Sequence, residues 1–281
     1  MNDLGINLVP DRVVIKVGTD TLTLADGTLN IKAFESIARQ TAVLRTRGKE
    51  VSIVTSAGIK AGLQTLKSLG MNFPNVSKKL LAGIGAELLL STWAAAFRPF
   101  GVATAQFWVT HGNWDKDGER ERIESGLLEA LALGVVPIIN ENDVVSDNEI
   151  VLMDKGWGEN DNMAARVASL LRVSSVLFLS SVGGIYEANP RENTSARKYL
   201  EINAWNIPEE LRGPNGTSLH GAGKDGINNI KTKVEAAALC HRLGMGASIA
   251  SLDADPNMIL LFVVNSENYG TRMGTQNILK E

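Results

Sequence analysis

Two lysines, one near each end of the chain, are the residues best suited to bind an anion. Lys16 closes an apolar run and precedes Gly18, so an ammonium group and backbone N–H groups come to the carboxyl edge of a sheet, where open α/β sheets bind ligands. Lys233 lies near the start of a predicted helix, where a cation opposes the helix dipole unless an anion is bound there too. The alternative for Lys16 is a lysine that caps a strand end in solvent.

Small and polar residues follow two other apolar runs. At 55–58 the sequence Thr-Ser-Ala-Gly lets a ligand approach the backbone, and Ser56 adds a hydroxyl group. The alternative is a small-residue turn required for close helix packing. At 140–143 the sequence Asn-Glu-Asn-Asp offers amide donors and carboxylate acceptors that suit the charged groups of an amino acid. An Asx-rich turn is the alternative there.

A second polar group, Asn160 and Asp161, lies at the start of another predicted helix. Helix capping accounts for one of these polar residues, which leaves a role for the other. Asp161 could hold the lysines in position or bind Mg²⁺ through water, because Mg²⁺ prefers one or two carboxylates together with substrate phosphates. Two lysines directed at phosphates, an acidic residue and an amide-rich pocket together indicate phosphoryl transfer, in which positioning and charge neutralisation supply most of the acceleration.

The elements that must position these residues alternate along the chain, which predicts an α/β fold. Short apolar runs predict strands at Val13–Val17, Val51–Thr55, Val102–Val109, Val135–Ile139, Ser175–Ser180 and Ala247–Ala250. Amphipathic periodicity predicts helices at Ile31–Arg47, Lys78–Phe97, Gly118–Leu133, Asn160–Leu171 and Asn228–Leu243. Loops or lids are expected at Gly112–Gly118, Ser146–Gly158 and Pro190–Lys224. Apolar strands separated by helices require a parallel sheet covered on both faces.

Composition excludes several classes of protein. The 281 residues carry a net charge of −3, too balanced for a nucleic-acid binder. The longest uninterrupted apolar run, Met258 to Val264, is too short to span a membrane, and Asp3, Pro10 and Asp11 argue against a signal peptide. We therefore expect a cytoplasmic protein with no membrane and no nucleic-acid partner.

Cysteine, histidine and tryptophan receive structural interpretations. The single cysteine, Cys240, cannot form an intrachain disulfide and is predicted to be a core residue. The histidines 111, 220 and 241 are not spaced as metal ligands, so no protein metal site is predicted. The tryptophans 108, 114 and 157 are placed beside loops, where they cover the core or shape a pocket.

Several longer motifs resemble those of the amino acid kinases, and among them the members that phosphorylate glutamate. The similarity runs from Val13 to about Thr275, and its pieces are VVIKVGT at 13–19, VTSAGIKAG at 54–62, KKLLAGIG at 78–85, ERERIESGLLEAL at 119–131, VVPIINENDVV at 135–145, GENDNMAA at 158–165, GGIYEANPR at 183–191 and TKVEAA at 232–237. The resemblance implies an open αβα sandwich with a mainly parallel sheet. It also implies that the enzyme uses ATP and Mg²⁺ and transfers the γ-phosphate to the side-chain carboxylate of L-glutamate, the first step of proline biosynthesis.

The resemblance also implies roles for individual residues. Lys16, Lys233 and Asp161 would be catalytic, with Asp161 orienting both lysines. Glutamate contacts fall on Ser56, Asp143 and Asn160, with Asp143 on the ammonium group. The positions implied for the nucleotide are Lys16, Gly18, Thr19, Ser180, Ser181, Ile227, Asn228, Asn229 and Lys233.

The chain departs from the family pattern mainly in the nucleotide half. Ser180-Ser181 stands where these kinases commonly carry Thr-Asp, and Ile227-Asn228-Asn229-Ile230 replaces a Thr-Gly-Gly-Met loop. At 55–58 the order is Thr-Ser-Ala-Gly rather than Thr-Ser-Gly-Ala, and Glu159 replaces the usual Asp. Because the sequence ends at Glu281, we expect no RNA-binding-type C-terminal module of the kind that many bacterial members carry.

Three functions remain open at this point. The main hypothesis is the glutamate-phosphorylating kinase, built as one domain over 1–281 with an acceptor lobe at about 10–172 and a nucleotide lobe at about 173–281. The alternatives are the same fold with another small amino acid or carboxylate as acceptor, and a non-catalytic relative that binds glutamate and regulates a partner. The family further implies a homo-oligomer, either dimer or tetramer, and γ-glutamyl phosphate reductase as a possible partner.

Overall fold

A sheet of nine strands forms the centre of the described chain. The computed structural model describes residues 11–72, 74–146, 159–188, 190, 193–211, 230–267 and 269–280. Its strands are β1 (Asp11–Val17), β2 (Lys49–Val54), β3 (Thr104–Val109), β4 (Val136–Glu141), β5 (Ser175–Ser180), β6 (Tyr199–Asn203), β7 (Gly246–Ser251), β8 (Thr271–Gly274) and β9 (Ile278–Leu279). They lie in the order β3-β4-β2-β1-β5-β7-β8-β6-β9. The first six in this order are parallel, β8 is antiparallel to β7, and β9 is antiparallel to β6.

Helices cover both faces of this sheet. Those in the described residues are α1 (Thr19–Leu22), α2 (Ile31–Thr46), α3 (Gly58–Ser68), α4 (Lys78–Phe97), α5 (His111–Trp114), α6 (Asp117–Ala132), α7 (Glu159–Leu171), α8 (Ile230–Arg242) and α9 (Met258–Asn265). One core packs sheet residues against α6, α7 and α8, and the other packs them against α2, α4 and α9. The predicted αβα sandwich with a mainly parallel sheet is confirmed.

The alternation of side chains along β1 determines where Lys16 points. Val13, Ile15 and Val17 lie in the core that contains α2 and α4, whereas Val14 lies in the core that contains α7 and α8. Because successive side chains of a strand point to opposite faces, Lys16 shares the face of Val14. The lysine is therefore directed toward α7 and α8, near the end of a strand that is buried from Val13 onward.

Helices α3 and α4 touch through their backbones. A Cβ atom on Gly62 would overlap the carbonyl oxygen of Leu81, and one on Gly85 would overlap the carbonyl oxygen of Gly58. Only glycine permits this approach, because every other residue carries a Cβ atom. The contact holds the start of α3, and therefore the turn after β2, beside α4.

Several element predictions need correction. The segment Gly112–Gly118, predicted as a loop, is largely helical, because α5 and the start of α6 occupy it. Strand β6 lies inside Pro190–Lys224, which was also predicted as a loop. Trp108 lies within β3 rather than beside a loop, and Trp114 is buried in the core. Most of Ser146–Gly158, together with Trp157 and His220, lies outside the described residues.

One segment of the described chain has the length and composition of a membrane span. It comprises α4 and the 3₁₀ turn Arg98–Phe100. Within the fold, α4 packs against α2 and α3, and its Trp93 and Phe97 side chains are fully buried. The core helix of a globular domain has the same apolar composition, so this segment is weak evidence for a membrane.

Candidate active site

Lys16, Asp161 and Lys233 meet at the carboxyl edge of the sheet. The Nζ atoms of Lys16 and Lys233 each lie 2.9 Å from Oδ1 of Asp161, and Lys233 Nζ lies 3.2 Å from Oδ2. All three side chains are buried, with exposed fractions between 6% and 8%. The structure thus brings together, from β1, α7 and α8, the three residues predicted to be catalytic.

The electrostatics of this cluster follow from burial and mutual attraction. Loss of water lowers the pKa of Lys16 to about 8, an effect that Asp161 opposes and the charge of Lys233 reinforces. Burial alone would raise the pKa of Asp161, but the two ammonium groups outweigh it and hold the pKa at about 2. Two ammonium groups thus share one carboxylate, which leaves an excess positive charge for an anion.

Gly18 and Thr19 follow Lys16 at the carboxyl edge of the sheet. A Cβ atom on Gly18 would lie 3.4 Å from the carbonyl oxygen of Leu179 and 3.8 Å from Lys16 Nζ. The backbone N–H of Gly18 donates a long hydrogen bond of 3.4 Å to the same carbonyl oxygen, and Thr19 begins the short helix α1. Gly18, one of the two residues predicted to lie beneath the phosphates, is therefore close to the Lys16 ammonium group.

The predicted acceptor residues Ser56 and Asn160 form a contact between the turn after β2 and the start of α7. Asn160 Nδ2 donates to Ser56 Oγ at 3.1 Å, while Asn160 Oδ1 is buried without a hydrogen-bond partner. A buried amide oxygen without a partner is costly, and a ligand N–H would satisfy it. Asp143 lies in the turn after β4, partly exposed.

The turn after β2 carries backbone strain at Ala57. Its φ of +79° and ψ of 11° place a non-glycine residue in the left-handed region immediately before α3. The next residue, Gly58, has space for a side chain, because a Cβ atom there would come no closer than 3.7 Å to Asn140 Nδ2. The backbone conformation would favour glycine at position 57 and tolerate a side chain at position 58, which is the reverse of the order Ala-Gly found here.

The residues predicted for the nucleotide are only partly described. Ser180 ends β5, and its Oγ accepts a long hydrogen bond of 3.5 Å from the backbone N–H of Val182. Ser181 follows at the same edge of the sheet. Ile227, Asn228 and Asn229 lie outside the described residues.

Four functional or buried polar residues were not identified from the sequence. Thr232 lies beside Lys233 and places its Oγ1 atom 3.5 Å from Asp161 Oδ2. Glu141, in the 140–143 segment, lies 3.7 Å from the buried His111, and Trp114 is buried in the same short helix as His111. Glu141 belongs to that segment and could have been singled out, but its pairing with His111 depends on the way β3 and β4 align, which the sequence does not reveal.

The structural interpretation of Cys240 is confirmed by the fold. Cys240 is fully buried, and burial raises the pKa of its thiol to about 12, so it is unreactive. Within the described part of the chain, no three His, Cys, Asp or Glu side chains cluster as a metal site. Both Asp161 oxygens already accept from lysine, so its geometry suits the positioning of the lysines.

Sequence comparison identifies the family. The model of the amino acid kinase family matches residues 11–251. The chain is 36% identical to the glutamate 5-kinase of Thermoanaerobacter sp. (strain X514) over 265 residues, which cover 92% of this chain and 67% of that protein. It is also 36% identical to the glutamate 5-kinase of Shewanella oneidensis over 261 residues, with coverage of 92% and 67%.

Solved structures share the fold at low sequence identity. The UMP kinase of Bacillus anthracis superposes with a TM-score of 0.60 and 16% identity, covering 96% of this chain and 99% of that one. The isopentenyl phosphate kinase of T. acidophilum gives a TM-score of 0.61 and 16% identity, with coverage of 94% and 100%. The family match over most of the chain, with the fold and the lysine pair, leads to one conclusion: this chain belongs to the amino acid kinase family.

Proposed function

We propose that this protein is a glutamate 5-kinase, which transfers the γ-phosphate of ATP to the side-chain carboxylate of L-glutamate and forms γ-glutamyl phosphate. The observation that carries the proposal is the pair of buried ammonium groups on Asp161. The similarity to glutamate 5-kinases over 92% of the chain supports this choice of acceptor.

The lysine cluster suits a phosphoryl group whose charge is spread over its oxygens. Lys16 and Lys233 approach from two different elements, so they can neutralise the group from two sides while Asp161 keeps both from moving apart. When bound, MgATP supplies the phosphoryl group and the metal charge. Gly18 and Thr19 are assigned to the phosphates by their position after Lys16, and Ser180 and Ser181 are assigned to the nucleotide by their position at the sheet edge.

Magnesium would be bound mainly by the nucleotide. In the described residues no carboxylate cluster offers a dedicated cage, and Mg²⁺ commonly combines few protein ligands with waters and substrate phosphates. We assign no residue of the described chain as a direct metal ligand. The residues present therefore fit a metal that enters together with ATP.

The acceptor would lie beside the contact between Ser56 and Asn160. The unpartnered Asn160 Oδ1 can accept from the substrate, and Ser56 is fixed by the amide nitrogen of Asn160. We assign Asp143 to the substrate ammonium group. In this arrangement residues from about 10–172 bind the acceptor and those from about 173–281 bind the nucleotide.

A trapping assay tests the reaction directly. Glutamate, MgATP and hydroxylamine should give γ-glutamyl hydroxamate, because hydroxylamine captures the acyl phosphate. Lys16→Met and Lys233→Met should each lower the rate by about 100-fold or more, the cost of removing a main electrostatic contact to the transition state. Lys67→Met, which removes an exposed lysine at the end of α3, is the matched control and should retain wild-type activity.

The same assay separates the alternative functions. Hydroxamate formation with another small carboxylate, in preference to glutamate, would identify a different acceptor. Glutamate binding without ADP release would identify a non-catalytic binding protein. Asp143→Asn should raise KM for glutamate far more than KM for ATP, and equal changes in both would contradict its assignment to the ammonium group.

The remaining assignments follow from the proposed reaction. We expect a cytoplasmic enzyme that forms a homo-oligomer, either a dimer or a tetramer. Because an acyl phosphate hydrolyses readily, a reductase that consumes γ-glutamyl phosphate is the expected partner. Size-exclusion chromatography with light scattering, with and without that reductase, measures both properties.

A further inference from the structure

One residue of the acceptor segment 140–143 belongs to a buried polar pair. Glu141 ends β4, and His111 begins α5 after the neighbouring strand β3. His111 Nε2 lies 3.7 Å from Glu141 Oε2, and the two residues are only 9% and 1% exposed. The lysine cluster does not include either residue, so the proposed mechanism leaves this pair without a role.

Several polar atoms of this pair have no hydrogen bond among the described residues. They are His111 Nε2 and both carboxylate oxygens of Glu141, and Trp114 Nε1, in the same short helix as His111, is likewise buried without a described partner. The Ser146 hydroxyl and the His111 backbone N–H lie close enough to influence Glu141, but neither forms a hydrogen bond of normal geometry. A buried ionised carboxylate without partners is costly, so the site favours a proton between Glu141 and His111.

The charges around the pair place its titration near neutral pH. The pKa of Glu141 is raised to about 7, mainly by burial and also by the negative charge of Asp143, while the Ser146 hydroxyl, the His111 backbone N–H and Arg166 on α7 oppose the shift. Burial also lowers the pKa of His111, helped by Arg166 and opposed by Asp115, so the imidazole does not retain a proton that Glu141 releases. The pair therefore changes from one proton to none as pH rises through about 7.

We propose that Glu141 and His111 form a proton-binding pair that sets the affinity of the acceptor site for the substrate ammonium group. This inference rests on the proposed function, because it takes Asp143 as the group that binds the ammonium. Glu141 acts through Asp143 and is therefore a positioning residue. Asp143 follows Glu141 by two residues and interacts with it electrostatically, so an ionised Glu141 adds a second negative charge near Asp143 and favours a cation there.

The sign of the pH dependence follows from linkage. The negative charge of Asp143 raises the proton affinity of Glu141. An ammonium group that neutralises Asp143 must therefore lower the proton affinity of Glu141. Glutamate binding therefore releases a proton, and higher pH favours binding. The ammonium group of a free amino acid stays charged from pH 6 to pH 8, so the substrate itself does not contribute to this change.

Calorimetric titration of L-glutamate into the full-length protein tests the inference without turnover. We expect the dissociation constant to fall about fivefold between pH 6 and pH 8, at the low end of typical coupling between sites. At pH 7, titrations in two buffers with different ionisation enthalpies should show release of about 0.4 proton, the value that a fivefold linkage requires.

Variants test whether the proton released on glutamate binding comes from the pair of Glu141 and His111. Glu141→Gln should bind glutamate with the weaker, pH 6 affinity at every pH and without proton release, whereas Glu141→Asp should retain the pH dependence. Glu129→Gln, an exposed glutamate on α6, is the matched control. If Glu141→Gln does not fold, the proton release of the wild-type protein still decides the question.

The outcomes distinguish this inference from the proposed function. Glutamate binding with a pH-independent dissociation constant and no proton release would overturn the pair and leave the kinase assignment intact. Proton release that persists in Glu141→Gln would assign the proton elsewhere and would also overturn the inference. Failure of glutamate to bind at any pH would refute the acceptor site and this inference with it.

Discussion

Replacing Asp161 with asparagine removes the negative charge between two buried ammonium groups and preserves the shape of the side chain. Lys16 and Lys233 each lie 2.9 Å from the same carboxylate oxygen, so both lose their charged partner. An asparagine oxygen in the place of Oδ1 can still accept from both lysines, but it carries no full negative charge, and the amide nitrogen in the place of Oδ2 is a donor that opposes Lys233. We therefore expect Asp161→Asn to lower both stability and activity.

The size of the stability loss follows from the shift in the Asp161 pKa. A shift from 3.8 to about 2 corresponds to about 2 to 3 kcal/mol, since one unit is worth about 1.4 kcal/mol. Because the folded-state pKa is the lower one, this stabilisation is complete above the unfolded value and is lost as pH falls through the folded value. The linkage relation leaves about half of it at pH 3. Loss of a partner in a buried pair costs up to about 5 kcal/mol, which sets the upper limit.

Urea unfolding followed by tryptophan fluorescence at pH 7, 5 and 3 measures this difference. Asp161→Asn should be less stable than the wild type by about 2 to 3 kcal/mol at pH 7 and by about half as much at pH 3. Asp115→Asn removes an exposed carboxylate that lies 3.5 Å from Arg166 and should change little, as surface pairs do. A loss below about 1 kcal/mol at pH 7, or an equal loss at pH 7 and pH 3, would refute the electrostatic account of the cluster.

Three further predictions concern the backbone and the lysine. Ala57→Gly should raise the free energy of unfolding by about 0.5 to 1 kcal/mol, because φ at this position is +79°; a loss of stability in urea would contradict the strain. Gly62→Ala should lower the free energy of unfolding by more than about 3 kcal/mol or prevent folding, because the new Cβ overlaps the Leu81 carbonyl. Gly118→Ala on α6 is the control, because its Cβ meets only a flexible side chain. The ratio kcat/KM for ATP should fall above pH 8, because Lys16 in the free enzyme loses its proton there. The value of kcat should hold to higher pH, because bound phosphate favours the ammonium form. A kcat/KM profile that is flat to pH 9 would exclude the assignment of Lys16 to ATP.

Elements with a strong local pattern were predictable. The helix Lys78–Phe97 and the strand Ser175–Ser180 were predicted with their observed bounds, because each is an apolar segment whose length fits its element and whose boundaries are marked by polar residues. The meeting of Lys16 and Asp161 was predicted from the resemblance to the amino acid kinases. Residue types at the strand ends indicated anion chemistry at this edge, since the carboxyl ends of parallel strands lie together.

Other features depend on contacts that no local pattern records. The helix α9 (Met258–Asn265) is apolar on all sides, so its period could not be read from the sequence. Strand β6 is five residues long and is stabilised by pairing with β8, more than sixty residues away along the chain. The pairing of His111 with Glu141 and the positive φ of Ala57 likewise arise from the register of strands and the packing of α3 on α4.

The distance along the chain between the two central lysines has a consequence during synthesis. Lys16 belongs to the first described strand and Lys233 to a helix made late, so a nascent polypeptide cannot assemble the full charge centre until most of it has left the ribosome. An incomplete product thus lacks half of the groups that would activate ATP. We expect ribosome-bound intermediates and amino-terminal fragments that lack Lys233 not to hydrolyse ATP, as a consequence of the order of the elements along the chain.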